Sequence, residues 1–250
     1  MLAEAFHYLT APASLRARLR GRVGSAVALW SRAGRCRAAW EPHYAQCHAA
    51  VAETVGTLPD PAPDGRGRTV LVLGSGLAHD IPLDLLAERF ERVLLVDAVH
   101  LWPVRLRTLL HPRRRRIVHL VRDLTGPDPA VSGAWQTWQT DPAIGLVISA
   151  NVLSQLPLGK ANADRRPALV VSHLDALGRF PDSCPVLLLT DIGMIRRAPD
   201  GTILKRSDLL FGIPLPPSTW SREWDWTVCP FGEESSRHER IHHAGAWRLR

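Results

Sequence analysis

The sequence predicts an α/β fold with a doubly wound, mostly parallel sheet, an antiparallel C-terminal strand and a helical N-terminal extension. Two observations indicate the sheet. Short continuous apolar runs recur after residue 69, and such runs are typical of strands that are buried on both faces of a parallel sheet. Helix-like segments separate these runs, and strands that alternate with helices are the pattern of βαβ units.

The N-terminal section, residues 1–57, is predicted to be the helical extension. Leu15, Leu19, Val23, Val27 and Trp30 recur every three or four residues, which predicts one apolar helical face, and a second helix is predicted over 43–55. The first helix is rich in arginine. A basic amphipathic helix binds a membrane surface or RNA in some proteins and packs on its own domain in others. Residues 58–68 are rich in proline and glycine and are predicted to be a linker.

The α/β domain is predicted to span residues 69–250. We expect strands at 70–73, 93–96, 117–121, 146–149 and 186–190, and helices at 84–90, 102–110, 130–137 and 166–177. The pattern then changes, because two strand-like segments, 224–229 and 240–249, are joined without a helix. An antiparallel strand pair that closes the parallel sheet fits this change.

Composition and charge limit the classes of protein that fit. Hydrophobic residues make up 46% of the 250 residues, which is ordinary for a soluble globular protein. No apolar run reaches the roughly 18 residues that a bilayer span requires, and the first residues lack a signal-peptide pattern, so we expect a cytoplasmic protein without an integral membrane span. The four scattered cysteines contain no CxxC pair, which argues against a zinc ribbon or a redox motif. The net charge of +7 fits either an anionic partner or the arginine-rich composition of a GC-rich genome.

The most informative segment is 69–97, in which a glycine turn lies between two apolar runs. Gly74-Ser75-Gly76 follows the first run, and Asp97 ends the second run 21 residues after Gly76. Proteins commonly hold a nucleoside in this way, because the glycines let the backbone approach the ligand and the acid accepts hydrogen bonds from the ribose hydroxyls. His79 stands where a dinucleotide-binding turn has its third glycine, which disfavours nicotinamide and flavin cofactors.

Polar residues also follow the other predicted strands. Asp123 is placed either to accept a hydrogen bond from an adenine amine or to cap a helix. The segment 149–157, which contains Asn151, follows the fourth strand, and Asp191 follows the fifth. Because ligands of open α/β sheets bind beyond the carboxyl ends of the strands, we expect these residues to lie around one cleft.

With these motifs, the chain from about residue 68 to 250 resembles the class I S-adenosylmethionine-dependent methyltransferases. The resemblance depends on VLVLGSGLAHD, LLVD, VRDLT, ISANVLSQLP and the closing strand pair. It implies a seven-stranded sheet whose last strand is antiparallel, S-adenosyl-L-methionine as the cofactor, and methyl transfer as the reaction. The glycines would approach the methionine part of the cofactor, Asp97 would hold the ribose, and Asp123 or Leu124 would border the adenine. The full set of residues that the resemblance assigns to the cofactor is Gly74, Ser75, Gly76, His79, Asp80, Asp97, Ala98, Asp123, Leu124 and Asn151.

The sequence constrains the acceptor and the catalytic residues less. Asn151 is followed by Val152-Leu153 and not by the PP(Y/F) of amino-directed methyltransferases, which disfavours DNA adenine and protein glutamine as acceptors. An oxygen acceptor usually needs a base or a metal, whereas an amine needs only to be uncharged. The base candidates are His79, His100, His173 and Asp191. The sequence does not identify the catalytic residue, and His173 and Asp191 are the candidates for it.

No metal site is predicted. His43, Cys47 and His48 lie close together but lack a fourth ligand, and His242 and His243 point to opposite faces of a strand.

The predicted function is S-adenosylmethionine-dependent methyl transfer to a small-molecule acceptor. Trp220, Trp224 and Trp226 precede or belong to the closing strands, where they either pack in the core or form an aromatic wall for that acceptor. Two alternatives stay open. One is an RNA methyltransferase whose phosphate-binding surface is formed by the arginine-rich N-terminus and residues 113–116. The other is a methyltransferase-like module that binds without catalysis.

Overall fold

The computed structural model describes residues 2–13, 15–60, 63–124, 129–155 and 166–250. Within these residues, helices α1 to α9 span Leu2–Thr10, Leu15–Leu19, Arg22–Arg35, Arg37–Gly56, Leu83–Arg89, Trp102–Leu110, Pro129–Thr140, Val152–Gln155 and Arg166–Gly178. Strands β1 to β8 span Thr69–Leu73, Arg92–Asp97, Ile117–Val121, Ile144–Ala150, Val186–Arg197, Ile203–Asp208, Trp220–Cys229 and Glu239–Arg248.

The described strands form a single sheet in the order β3-β2-β1-β4-β5-β8-β7, and β6 pairs with the second half of β5. The pairs β2–β3, β1–β2, β1–β4 and β4–β5 are parallel, whereas β8 is antiparallel to both β5 and β7. The predicted doubly wound sheet with an antiparallel C-terminal strand is therefore confirmed. The predicted number of strands is too low by one, because β6 adds an eighth strand.

The extra strand arises where the apolar pattern of β5 ends. The sequence predicts a strand that stops at residue 190, but β5 continues to Arg197 and pairs with β6 and β8 over this extension. The extension contains Gly193 and two arginines, and β6 is mostly polar and exposed. A strand that buries neither face has no apolar alternation, which is the signal that strand prediction depends on.

The central strands are buried because helices cover both faces of the sheet. In β1, Val70 and Val72 contact a cluster that includes Val51 of α4 and Leu86 of α5. Leu71 and Leu73 face the opposite way, in a cluster with residues of α7 and α9. Each fully buried side chain of this size stabilises the fold by roughly 1.5–3 kcal/mol, which explains why the apolar run is continuous.

The N-terminal helices depart from the predicted single apolar face. Gly21 lies between α2 and α3 with φ +72°, and this left-handed residue separates the two helices. Val23 and Val27 of α3 are buried, but Leu15 and Leu19 of α2 are 74% and 80% exposed. The prediction of one continuous face is wrong because it extends a single helical register across this break.

The helices before residue 57 pack in the same hydrophobic clusters as elements of the rest of the chain. Val51 and Cys47 of α4 are buried against strands of the sheet, and Val27 of α3 lies in a cluster with Leu77, Leu101 and others from the loops after β1 and β2. The predicted division at residue 57 thus falls between elements that pack together. None of the helices in the described ranges is long and apolar enough to cross a membrane.

Candidate functional site

A cavity of about 430 Å³ lies at the carboxyl ends of the parallel strands, beside β1 and β4, where the strand order reverses. Ligands of doubly wound sheets bind at this position, and the volume suits a small organic ligand. The residues that the sequence assigns to the cofactor all line this cavity: Gly74, Ser75, Gly76, His79, Asp80, Asp97, Ala98, Asp123, Leu124 and Asn151. Thr125, Leu156 and Pro157, which belong to the quoted motifs, lie outside the described residues.

The glycine turn after β1 adopts a conformation that requires glycine. Gly74 and Gly76 have φ values of +74° and +46°. A Cβ atom on Gly74 would lie 2.3 Å from Cγ2 of Val152 and 2.5 Å from the carbonyl oxygen of Ala150. The backbone N–H groups of Gly74 and Ser75 both donate to the Val96 carbonyl, at 2.8 and 3.1 Å, which fixes the turn against the end of β2. The turn therefore packs tightly on β2 and on the start of α8.

Asp97, the last residue of β2, is joined directly to the glycine turn. Its Oδ2 accepts a hydrogen bond from Gly76 N–H at 2.8 Å, and its Oδ1 accepts one from Val99 N–H at 3.2 Å. Burial raises the pKa of this carboxyl. Because each carboxylate oxygen can accept two hydrogen bonds, both oxygens keep the capacity to accept one more from a ligand hydroxyl.

Asp80 and Asn151 connect the glycine loop to the end of β4. Asn151 has a φ of +54°, a left-handed conformation that asparagine tolerates better than most residues. Its Nδ2 donates to Oδ2 of Asp80 at 2.8 Å, while burial raises the pKa of Asp80 to about 6. Arg107 of α6 donates to the carbonyls of Leu77 and Ala78 at 3.3 and 2.7 Å and holds the same loop from behind.

Two further predicted residues lie at the rim of the cavity. His79 is exposed, and its ring contacts Tyr44 edge-on at 5.5 Å between centroids. Asp123, after β3, accepts a hydrogen bond from Arg20 at 3.1 Å and forms an ion pair with Arg22 at 3.7 Å. The carboxylate that the sequence places near an adenine is thus held by arginines from the N-terminal section.

The N-terminal helices cover the cavity. Ser25, Leu29 and Arg32 of α3 line one side, and Trp40 and Tyr44 of α4 line another. Arg32 and Arg35 of α3 also pair with Glu233 after β7, at 3.4 and 2.6 Å. These contacts attach α3 to the segments after β3 and β7. A section that the sequence separates from the α/β domain therefore forms part of the cavity wall.

The side of the cavity away from the glycine turn contains a histidine–aspartate pair that the sequence does not predict. Asp191 of β5 is buried, and its Oδ2 lies 2.8 Å from Nδ1 of His242 in β8. The two side chains share a face because Asp191 lies opposite Ala244 in the β5–β8 register and His242 is two residues from Ala244 on β8. A register shift between Asp191 and Gly193 brings Met194 onto this face as well. Bulges of this kind re-aim side chains and occur often beside active sites.

Aromatic side chains surround this pair. In the sheet register His242 lies between Met194 of β5 and Trp226 of β7, and both of these residues line the cavity. The Trp226 ring stacks on His43 of α4 with centroids 3.8 Å apart. Trp224 Nε1 donates to His43 Nδ1 at 3.0 Å, and burial lowers the pKa of His43 to about 4. His43 is therefore a neutral part of an aromatic wall.

The other predicted base candidates lie elsewhere. His173 of α9 does not line the cavity; its Nε2 lies 2.8 Å from Ser149 Oγ in the core, and burial lowers its pKa to about 4. His100 is buried behind the glycine turn, 3.1 Å from Ser75 Oγ, with its pKa lowered by burial to about 3. The structure thus brings Asp191 to the cavity but places His173 and His100 in structural contacts.

Metal-ligating side chains do not cluster in the part of the chain that the structure describes, where no group of three or more histidine, cysteine, aspartate or glutamate residues is arranged to hold an ion. Cys47 Sγ and His43 Nε2 are 3.6 Å apart, but both are buried.

Comparisons with known proteins give similarity to solved structures only. No protein-family model matches the chain, and no curated protein matches it. One similar structure is the glycopeptide N-methyltransferase MtfA complexed with S-adenosyl-L-methionine, with 15% identity over 79% of this chain and 76% of that chain and a TM-score of 0.36. The methyltransferase domain of bacterial CtHen1 has 13% identity over 80% and 96% of the two chains and a TM-score of 0.36.

A third similar structure is the CcbJ methyltransferase from Streptomyces caelestis, with 13% identity over 80% of this chain and 79% of that chain and a TM-score of 0.33. Identities and TM-scores at this level do not transfer a substrate or a reaction to this chain. The functional argument therefore depends on the geometry of the cavity.

Proposed function

We propose that the protein is an S-adenosylmethionine-dependent methyltransferase that acts on a small-molecule acceptor. The observation that carries the proposal is the direct hydrogen bond, 2.8 Å long, between Asp97 and the N–H of Gly76. It joins the two sequence features that suit a nucleoside, a glycine turn and a strand-ending acid, on the wall of one cavity.

The chemistry of this wall fits the cofactor. Asp97 keeps acceptor capacity for a ribose diol, and Gly76 leaves open space beside it, since a Cβ atom there would meet nothing closer than 3.7 Å. Carboxylates of Asp80, Asp97 and Asp191 line the cavity together with the guanidinium groups of Arg22, Arg32, Arg122 and Arg240, which suits a ligand that carries charges of both signs. When bound, the cofactor supplies an electrophilic methyl group on a sulfonium centre.

The protein's own part in such a reaction is to bind, to align and to exclude water. The loop that Arg107 and the Asn151–Asp80 hydrogen bond hold in place presents the glycine turn in one conformation. Helices α3 and α4 contribute residues to the wall of the cavity. Alignment of the acceptor and the methyl group in this cavity lowers the barrier by removing most of the entropy cost of a bimolecular step.

The cavity wall formed by α3 and α4 supports a small acceptor more than RNA. Several of the arginines that the RNA alternative needs are also occupied inside the protein: Arg20 and Arg22 contact Asp123, Arg113 contacts Glu88, and Arg116 donates to carbonyls of α5 and the residue after it.

Calorimetric titration with S-adenosylmethionine and S-adenosylhomocysteine tests the proposal. The wild type should bind both ligands. Asp97→Ala should bind them about 10- to 100-fold more weakly, because it removes charge-assisted hydrogen bonds worth about 1.5–3 kcal/mol. Gly76→Arg should abolish binding by filling the space beside Asp97.

Asp182→Ala is the matched control. Asp182 is a fully exposed aspartate that precedes β5, at the opposite edge of the sheet, and its replacement should leave both affinities unchanged. A wild type that binds neither ligand, or an Asp97→Ala variant that binds as tightly as the wild type, would rule out the proposed cofactor site.

A further inference from the structure

We infer that His242 is the general base of the methyl transfer and that Asp191 positions it. We also infer that the methyl acceptor is a hydroxyl group. Both inferences rest on the proposed function. The observation behind the inference is a histidine–carboxylate pair, 2.8 Å apart, on the cavity wall away from the glycine turn.

The hydrogen bond sets which nitrogen of His242 can act. Nδ1 lies against Oδ2 of Asp191 and carries the proton that this carboxylate accepts. The neutral ring then has its lone pair on Nε2, for which the described residues provide no hydrogen-bond partner. The His242 side chain is 17% exposed and lines the cavity, so Nε2 is available to a ligand.

The environment of Asp191 is not that of a residue with a purely structural role. Its side chain is 8% exposed, and its Oδ1 has no hydrogen-bond partner among the described residues. A buried carboxylate with an unsatisfied oxygen destabilises a fold, and such arrangements are retained where the charge has a task. Here the task is to hold the Nδ1–H tautomer and to stabilise the positive charge that His242 acquires.

A third observation concerns polar contact with the acceptor. Trp226 Nε1 is also buried without a partner among the described residues, and the Trp226 ring lies 6.0 Å from that of His242. This N–H can donate to an oxygen of a ligand that lies beside His242. An acceptor with an oxygen and an adjacent flat apolar part would satisfy Trp226 and pack against the stacked rings of Trp226 and His43.

The pair favours oxygen over nitrogen as the attacking atom. A neutral amine attacks without first losing a proton, whereas a hydroxyl is a weak nucleophile unless a base removes its proton during attack. In the proposed step the hydroxyl proton passes to Nε2 of His242 while the oxygen bonds to the methyl carbon. The carbon–sulfur bond breaks with its electron pair left on sulfur, and the imidazolium then releases its proton to solvent.

The first test measures the tautomer of His242 by 15N NMR of imidazole-labelled protein, which requires neither cofactor nor acceptor. We expect the Nδ1–H form in the wild type and the Nε2–H form in Asp191→Asn, because the amide of asparagine donates to Nδ1. His243→Gln is the matched control. His243 is the next residue on β8 and has acidic partners of its own, Asp225 and Glu223, on the outer face. Its replacement should leave the His242 signal in place.

The second test measures methyl transfer from labelled S-adenosylmethionine to catechol and benzyl alcohol, with aniline and benzylamine as amine probes. Transfer to a hydroxyl probe should fall about 10²- to 10⁴-fold in His242→Gln, the usual contribution of a general base, while S-adenosylhomocysteine affinity stays at the wild-type value. His243→Gln should retain full activity.

Three results would overturn the inference: an Nε2–H tautomer in the wild type, transfer to amines alone, or undiminished hydroxyl transfer in His242→Gln. If none of the four probes is methylated, the tautomer measurement decides. Failure of the proposed function is seen separately, as the absence of S-adenosylhomocysteine binding to the wild type in calorimetry.

Discussion

Replacement of Gly74 by alanine tests whether the glycine turn is as tightly fixed as the structure indicates. The added Cβ atom would lie 2.3 Å from Cγ2 of Val152 and 2.5 Å from the carbonyl oxygen of Ala150. The second contact is with backbone at the end of β4, which cannot move without distorting the sheet. Overpacking of this kind costs about 1–3 kcal/mol, and a left-handed alanine costs about 1–2 kcal/mol more.

The sum predicts that Gly74→Ala lowers the free energy of unfolding by about 2–5 kcal/mol, a large part of the 5–15 kcal/mol that is typical of a folded domain. The melting temperature should fall by roughly 4–20 °C, since each kcal/mol corresponds to about 2–4 °C at this chain length. Urea unfolding followed by circular dichroism measures the first quantity, and thermal unfolding measures the second.

Two glycines provide matched controls. Gly76 has φ +46°, but an added Cβ atom would have no neighbour closer than 3.7 Å. Gly76→Ala should therefore lower the free energy of unfolding only by the cost of a left-handed alanine, about 1–2 kcal/mol. Gly34 lies inside α3 with nothing within 4 Å, and Gly34→Ala should stabilise the protein by about 0.5–1 kcal/mol. Equal unfolding free energies for Gly74→Ala and Gly76→Ala would refute the argument from steric contact.

Two further predictions concern pH and the N-terminal helices. The pKa of His173 is about 4 in the folded protein against 6.5 ordinarily, so the unfolded chain takes up this proton first as the pH falls. From pH 6.5 to 4 the unfolding free energy should fall by about 1.4 kcal/mol per pH unit because of this group. Urea unfolding at several pH values should show a shallower fall in His173→Gln than in the wild type. An equal pH dependence in the two proteins would contradict the prediction. Asp123→Asn removes the charge that Arg20 and Arg22 contact, and the two ion pairs together stabilise the attachment of α3 by about 1 kcal/mol. Backbone amides at the start of α3 should therefore exchange hydrogen roughly fivefold faster than in the Asp182→Asn control. Unchanged exchange would show that these pairs do not hold α3.

The part of the site next to β1 and β2 could be predicted because its signals are local. The apolar runs before Gly74 and Asp97 predict two buried strands. The glycines and the aspartate lie at the ends of those strands. Parallel strands bring their carboxyl ends to one edge regardless of side-chain detail. The positions of Asp123 and Asn151 at the same cavity depend on this rule as well.

The side of the cavity that contains His242 could not be predicted in this way. Its partner Asp191 is 51 residues earlier in the chain, and the two meet only because β8 pairs with β5. A one-residue shift moves every later side chain to the other face of a strand. The histidines near the end of the sequence were visible as a cluster, but the face that each occupies depends on strand pairing.

The packing of the N-terminal helices on the cavity could not be predicted from the sequence for a related reason. Gly21 breaks the helical register between Leu19 and Val23, so the spacing of apolar residues alone overstates the length of the buried face. The attachment of α3 depends on ion pairs with Asp123 and Glu233, which are about 100 and 200 residues away in the sequence. Long-range pairs between charged side chains leave no periodic pattern.

The position of β8 between β5 and β7 has a consequence for synthesis of the protein. β8 is the last of the described strands to be made, yet it fills the gap between two strands made earlier. Until residues 239–248 have left the ribosome, β5 has an unpaired edge, which is a template for association with other chains. The nascent chain can complete the glycine turn and Asp97 long before it acquires His242. We therefore expect a ribosome-bound chain without β8 to contain the part of the cavity next to the glycine turn and Asp97 but not the part that contains His242. Such a chain should depend on chaperones until the last strand inserts.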